Sequence, residues 1–277
     1  MDKEIKQLRE ELWKLFFYEN QDKYKNVKID EIMKKLIPKN NKLYRYRSID
    51  DNTIDILKND TIFLANPDIL NDPYDCHVNF DYQNYFAKEI AELGDLVKPV
   101  IDQLDENNRK VRRIQGIACF SDRNDSILMW SHYTPNHKGI CIEYNYQDII
   151  EYIDERKNSS VGMSLFPVRY SNEITQYNLD DLKNVNPIEL TSFIFSKSDI
   201  WSYENEWRLI ETINREKNGI TGTKVNFIKP TAIYLGTNIS SENEQKIKEI
   251  ISKEIQLYKM EMSSYEYKLS SKKVLEK

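Results

Sequence analysis

The chain has 277 residues, with 40 Lys plus Arg against 45 Asp plus Glu and a formal net charge of −5. That balance excludes a strongly electrostatic, sequence-blind nucleic-acid binder, although a local basic groove fits it. Only seven glycines occur, with no GxGxxG and no GxxxxGK(S/T) run, so a Gly-lined phosphate cradle is excluded and any nucleotide must be held by side chains and ordinary strand or helix ends.

Three cysteines, Cys76, Cys119 and Cys141, show no paired spacing, which fits a reducing compartment rather than a disulfide frame. The opening "MDKEIKQLREELWKLFF" is too charged for a signal peptide, and no apolar run approaches the roughly 20 residues a bilayer span needs. The expectation is a cytoplasmic protein with no membrane partner.

Along the chain, Ile5, Leu8, Leu12, Leu15 and Phe16 recur at three- and four-residue steps and predict a helix. A second helix, "DEIMKKLI", should end before Pro38. Residues 1–38 thus read as an N-terminal helical extension and 39–277 as one α+β domain. "KLYRYRS" predicts a strand, "DNTIDILKN" a helix capped by Asp51 or Asn52, and "TIFLANP" a strand. "DILNDPYDC" reads as a turn cluster, and 83–113 as helical with breaks near Gly94 and Pro99. "GIACFS", "GICIEYN" and "FPVRYS" predict strands; "SILMWSHY", "YQDIIEYID" and "PIELTSFIFSKSDIW" read as helical. The last third carries the strand runs "EWRLIETI", "TKVNFI", "TAIYLGT", "QLYKMEM" and "YEYKLS". The helix "SENEQKIKEIISKEI" interrupts them, with Ser241 and Glu244 as a capping box. The irregular order of elements predicts an α+β fold with a mixed, mostly antiparallel sheet and flanking helices.

The densest chemistry lies in "KSDIWSYENEWRLIE". If "YENEWRLI" is a strand, Glu204, Glu206 and Arg208 share one face and Trp207 and Leu209 the other. One reading is a solvated, self-neutralising edge strand. The other is a site with a working carboxylate, walled by Trp201 and Tyr203. In "LYRYRS", Arg45 and Arg47 share a face opposite Tyr44 and Tyr46; an inward guanidinium suits phosphate or carboxylate, or pairs with Glu206. Asp72 and Asp75 read as parts of a self-bonded turn. His132, His137, Cys119 and Cys141 fit no common zinc spacing, so no metal is assigned. Trp130, Ser131 and Tyr133 read as a polar-aromatic lining for a ligand ring, and Cys119 and Cys141 as small core residues.

The ordered runs "LYRYRS", "FLANPDILNDPYDC", "ACFSDRNDSILMWSHYTPNHKGICIEY", "PVRYS", "KSDIWSYENEWRLI" and "IYLG" resemble the bacterial family filed as domain of unknown function 2971, over roughly residues 42–240. More remotely, the layout resembles that of ADP-ribosyltransferases, which split NAD and pass ADP-ribose to a target. That resemblance implies Glu206 as the catalytic acid and Glu204 as its helper. It implies an NAD contact from Arg45 or Arg47; Tyr46, Trp130, Ser131, Tyr133, Trp201 and Arg208 are added as the expected remainder of the NAD site, although Trp207-Arg208 is not part of the transferase pattern. It further implies NAD as substrate, a protein or nucleic-acid acceptor, an inhibitory partner protein, and a role as a toxin or antiphage effector. The chain lacks a Ser-Thr-Ser middle motif, and "Ser131-His-Tyr133" stands in its place. Two other readings stay open: a non-catalytic module sensing a nucleotide or phage component, and a metal-dependent nuclease using Asp72, Asp75 and Glu206. The transferase reading requires Arg45 or Arg47 and Glu206 to converge on one cleft.

Overall fold

A computed structural model describes residues 1–17, 25–156, 162–177, 193–213 and 221–274. Helices α1 (Lys3–Phe17) and α2 (Lys25–Leu36) come first, and α2 stops before Pro38 as the missing N–H requires. There follow β1 (Lys42–Arg47), α3 (Asp51–Asn59), β2 (Thr61–Ala65), β3 (Val78–Phe80), α4 (Tyr82–Tyr85), α5 (Ala87–Leu93) and α6 (Lys98–Arg113). Next are β4 (Gln115–Ser121), α7 (Ile127–Tyr133), β5 (Ile140–Asn145), α8 (Tyr146–Glu155), β6 (Met163–Pro167), β7 (Arg169–Ser171), β8 (Thr175–Tyr177) and β9 (Ser196–Ser198). The described chain closes with β10 (Glu206–Thr212), β11 (Gly222–Asn226), β12 (Ala232–Leu235), α9 (Ser241–Ile250), β13 (Gln256–Met262) and β14 (Leu269–Lys273).

The expected α+β architecture with a mostly antiparallel sheet is present. One sheet runs β11-β2-β4-β1-β5-β12-β13-β14, with β10 on β4 and β6 on β10; within it only β12–β13 is parallel among the described strands. One face packs on the main core, where Leu43, Phe120, Trp207 and Ile233 meet Leu12 and Leu15 of α1, Leu36 of α2, Ile149 of α8 and Ile247 of α9. The other face carries Tyr44, Tyr46, Trp130 and Tyr234 in one cluster and Ile117, Phe193, Phe195 and Ile210 in another.

Several local expectations change. Asp50, not Asp51 or Asn52, caps α3, its carboxylate accepting from Thr53 N at 2.8 Å. Ser240, not Ser241, caps α9, and Glu244 bonds Lys248 at 2.7 Å and Lys259 at 2.9 Å instead of closing a capping box. That helix ends at Ile250, short of the expected run. Pro99 does not interrupt α6, because in a first turn its missing N–H costs no bond. The run "FPVRYS" divides into β6 and β7, and residues 264–267 form bends before β14 begins. Of the helix expected over 187–201, residues 187–192 lie outside the described residues. The remainder is a 3-10 turn at 193–195, then β9, then the start of a second 3-10 turn, Asp199–Glu204.

One feature of the sheet makes room for a site. Strand β10 pairs along the whole of β4, from Glu206↔Ser121 to Thr212↔Gln115. The opposite edge of β4 is divided: β1 pairs with it at Tyr44↔Ser121 and β2 at Ala65↔Ile117. Between those two points β1 and β2 splay apart, and the sheet opens.

Candidate functional site

The opening is a cavity of about 170 Å³. Strand β1 lines it with Tyr44 to Arg47, β2 with Phe63 and Ala65, and β4 with Ile117, Cys119 and Phe120. Asn71 and Asp75 enter from the loop after β2, Met129 and Tyr133 from α7, and Lys197, Glu204 and Glu206 from the β9–β10 segment.

Glu204 and Glu206 do not alternate along one strand. Glu204 ends the 3-10 turn, Asn205 adopts a left-handed conformation at φ 46°, and β10 starts only at Glu206. That kink turns both carboxylates onto one cation, the buried Lys197: its Nζ lies 2.6 Å from Glu204 Oε2 and 3.0 Å from Glu206 Oε2. Arg208, fully buried, donates through Nε to Glu206 Oε1 at 2.7 Å and through Nη2 to the Asp75 carboxylate at 2.8 Å. The edge-strand reading is therefore overturned: β10 is flanked by β4 and β6, and every residue from Glu206 to Glu211 is buried.

The cluster holds three carboxylates, Asp75, Glu204 and Glu206, against two cations, Lys197 and Arg208. Charges out of water must be compensated, and this set is one positive charge short. The deficit falls on Glu204. Burial and then the neighbouring Glu206 push its pKa from 4.5 up to about 7, against the opposing pull of Lys197 and the Tyr133 hydroxyl. Burial also acts against ionisation of Glu206, but Arg208 and Lys197 outweigh it and hold that carboxyl well below its usual range. Burial would discharge Lys197, yet Glu206, Glu204 and Asp75 keep it firmly charged. The site thus contains a fixed anion, Glu206, beside a carboxyl, Glu204, that changes state near neutrality.

Of the residues singled out in the sequence, Arg45, Arg47, Tyr46, Tyr133, Glu204 and Glu206 all line this cavity. The convergence is only partial in direction. Register places Tyr44, Ser121 and Glu206 on one sheet face, so alternation sends the Arg45 and Arg47 side chains toward the other. Arg45 reaches the cavity across the fork, with Nη2 3.5 Å from Phe63 O and Cζ 5.4 Å from the Phe120 ring centre. Among the described residues it makes no ion pair, and burial, then Arg47, lowers its pKa to about 10. Arg47 Nε lies 3.4 Å from Thr53 Oγ1. The Tyr46 hydroxyl donates to Arg123 O at 3.0 Å.

Four assignments are corrected. Trp130 is fully buried and donates its Nε1–H to Asn124 O at 2.7 Å; the turn of α7 aims it into the core while Met129 and Tyr133 face the cavity. Ser131 is spent on the helix itself, donating to Ile127 O at 3.0 Å, with His137 Nε2 at 3.1 Å. Trp201 packs outside the lining, its ring centre 5.1 Å from Lys197 Nζ and 6.4 Å from that of His132. Arg208 sits behind Glu206 and does not line this cavity.

Lys197 escapes the sequence reading, which puts the run "FSKSDIW" in a helix. The sequence pattern puts Asp75 in a turn or, in the nuclease reading, on a metal; Asp72 does fill the turn role, accepting from Tyr74 N at 2.9 Å, but Asp75 joins the buried cluster. Charge counting asks for one more cation beside Glu204 and Glu206, which cannot both be buried against Arg208 alone, but it does not name Lys197 and gives no sign of Asp75, a third carboxylate. Among the described residues no group of three or more His, Cys, Asp or Glu is arranged to hold a metal ion, and no helix is long and apolar enough to cross a membrane.

Residues 129–209 match the family described as "Protein of unknown function (DUF2971)". The family resemblance is thus borne out over a stretch that runs from α7 through Glu204 and Glu206 to the middle of β10. No curated protein and no solved structure matches the chain significantly.

Proposed function

We propose that the protein cleaves the bond between nicotinamide and ribose in NAD, as an ADP-ribosyltransferase or an NAD glycohydrolase. The supporting observation is that both glutamates of the Glu-x-Glu run line one ring-sized cavity, with Arg45 and Arg47 on its other wall. A cavity of ~150 Å³ takes up a benzene ring, so about 170 Å³ suits the nicotinamide ring alone. In this reading the rest of the dinucleotide lies outside the cavity, with its anionic part toward Arg45 and Arg47.

The chemistry assigns the roles differently from the resemblance. Both oxygens of Glu206 are already bonded, by Arg208 and Lys197, so Glu206 is a fixed anion that sets the local field. Glu204 is the carboxyl that can exchange its partner, Tyr133, for a ribose hydroxyl. As the C–N bond breaks, its electron pair leaves with neutral nicotinamide and positive charge builds on the sugar. A preorganised carboxylate beside that charge stabilises it. Water or an acceptor nucleophile then bonds to the sugar carbon and loses its proton to Glu204. ADP-ribose goes to water or to a protein or nucleic-acid acceptor, and the protein acts as a cytoplasmic toxin or antiphage effector.

Incubating the purified protein with NAD and following free nicotinamide tests this. Release that disappears in Glu204→Gln supports it; absence of release across acceptors and pH counts against it. The complete bonding of Glu206 favours a second reading, a non-catalytic nucleotide sensor, in which NAD or a fragment binds and raises the melting temperature without turnover.

A further inference from the structure

Helix α1 lies far from the cavity in sequence, yet its charged side chains end on the segments that build the acidic cluster. Lys6 forms an ion pair with Asp199, the first residue of the 3-10 turn that ends at Glu204. Arg9 donates through Nη1 to the Glu206 carbonyl at 2.9 Å and to the Val168 carbonyl at 3.0 Å. Glu10 accepts from Arg169 Nε at 2.6 Å. Arg169 opens β7, which pairs in parallel with β9 so that Tyr170 stands opposite Lys197. The Tyr170 hydroxyl in turn accepts from Glu206 N at 2.8 Å. Lys6, Arg9, Glu10 and Trp13 are three and four residues apart, so one face of the helix carries all four; Arg169 Cζ sits 4.0 Å from the Trp13 ring centre.

The chemistry of Arg9 separates positioning from simple packing. It is 2% exposed and makes no ion pair among the described residues. Burying a cation that way is costly, and a leucine would attach a helix to the sheet without the cost. What a leucine cannot do is hold two carbonyl oxygens, one of them on the residue whose side chain anchors the cluster. Each member of the Glu204–Lys197–Glu206 unit therefore has its own tie to α1: Glu204 through Asp199, Lys197 through β7, and Glu206 through its own carbonyl.

We infer that α1 is a positioning element of the site, with Lys6, Arg9 and Glu10 fixing the relative placement of Glu204, Lys197 and Glu206, so that lifting this helix disarms the cavity without unfolding the sheet. Arg9 is its central positioning residue. The inference rests on the reading of Glu204 as the working carboxyl.

The test uses the full chain and two variants. Lys6→Ala/Glu10→Ala removes the two outer, partly exposed ties, and Arg9→Met removes the inner one; Arg9→Lys serves as the conservative control. The primary readout needs no substrate: the infrared carboxyl band that Glu204→Gln abolishes is titrated with pH. The groups facing Glu204 are Tyr133 of α7, Tyr170 of β7, Lys197 of β9, Glu206 of β10 and Tyr203 of its own turn, and all stay unaltered. We expect the Glu204 midpoint to move in both variants, to return toward the wild-type value in Arg9→Lys, and kcat for nicotinamide release to fall about tenfold or more at unchanged KM. A wild-type midpoint in both Arg9→Met and the double variant overturns the inference. If Arg9→Met does not fold, the double variant decides alone. If the wild type releases no nicotinamide, the NAD reading falls by itself and the titration still decides on α1.

Discussion

The Tyr133 hydroxyl donates to Glu204 Oε1 at 2.5 Å, while Lys197 holds the other oxygen at 2.6 Å. A carboxyl gripped at both oxygens by donors would ordinarily be strongly acidic. Here burial and the adjacent Glu206 outweigh the two donors and carry it to about 7. Its sign in stability follows. Between 4.5 and about 7 the folded state keeps a proton that the unfolded state has lost, so the Glu204 contribution falls as pH rises through that window and is flat above it. Glu204→Gln, which mimics the neutral acid, should remove that slope. Melting temperature measured from pH 5 to pH 8 should show the variant gaining on the wild type by up to about 3 kcal/mol at the alkaline end. Nicotinamide release should fall by about 10²-fold or more in the same variant. A parallel pair of pH–stability curves would show that Glu204 is an ordinary carboxylate.

Much of this fold was legible because its strands are short and bounded. The alternation in "LYRYRS" and the apolar run "GICIEY" lie where their patterns put them, and the helix before "QLYKMEM" is present with its cap one residue earlier and its end at Ile250. The carboxylate pair was legible as a pair but not as a shape. Strand alternation requires Glu204 and Glu206 to share a strand, whereas a single left-handed residue, Asn205, ends one element and starts the next. Local pattern cannot announce such a kink at an asparagine, which tolerates that conformation without demanding it. Lys197 and Asp75 were illegible for a different reason. Each earns meaning only from partners brought together by the sheet; Asp75 lies 133 positions from Arg208 in sequence. Trp130 shows the converse error, since an aromatic in a polar run is a core residue whenever the helix turns it inward.

Tyr133→Phe deletes one of the two donors to Glu204 with little change of shape. That bond stabilises the ionised form, so its loss should raise the Glu204 midpoint above about 7. The pH profile of nicotinamide release should move to higher pH in step, with activity at neutral pH down about tenfold. A lowered or unmoved midpoint would mean that the hydroxyl does not bond the carboxylate in solution.

Glu206→Gln tests the fixed anion. The substitution leaves Lys197 and Arg208 facing each other with less counter-charge in a buried space, and breaking such a pair costs about 3–5 kcal/mol. Urea denaturation should therefore show a lower midpoint with an unchanged slope. Because the folded carboxyl titrates below the usual range and the ordinary value is 4.5, its stabilisation is present above about 4.5. It fades as pH falls toward the lower folded value, so wild type and variant should converge in acid. A variant as stable as the wild type at pH 7 would show that the cluster is relaxed or hydrated in solution.

Arg45 makes the opposite case, a buried cation with no carboxylate partner among the described residues and a pKa lowered to about 10. A group held in that state opposes folding unless a ligand supplies the missing anion. Arg45→Met should keep the stem's packing against Phe120 and remove the charge. The expected result is a free protein more stable by about 1 kcal/mol, since replacing an uncompensated charge with hydrocarbon is favourable. The KM for NAD should rise about tenfold or more, because a charge-assisted hydrogen bond contributes about 1.5–3 kcal/mol. Stability and affinity moving in opposite directions is the signature of a residue retained for a ligand. If both fall together in calorimetry and kinetics, Arg45 serves the sheet and the anionic end of the substrate must be held elsewhere.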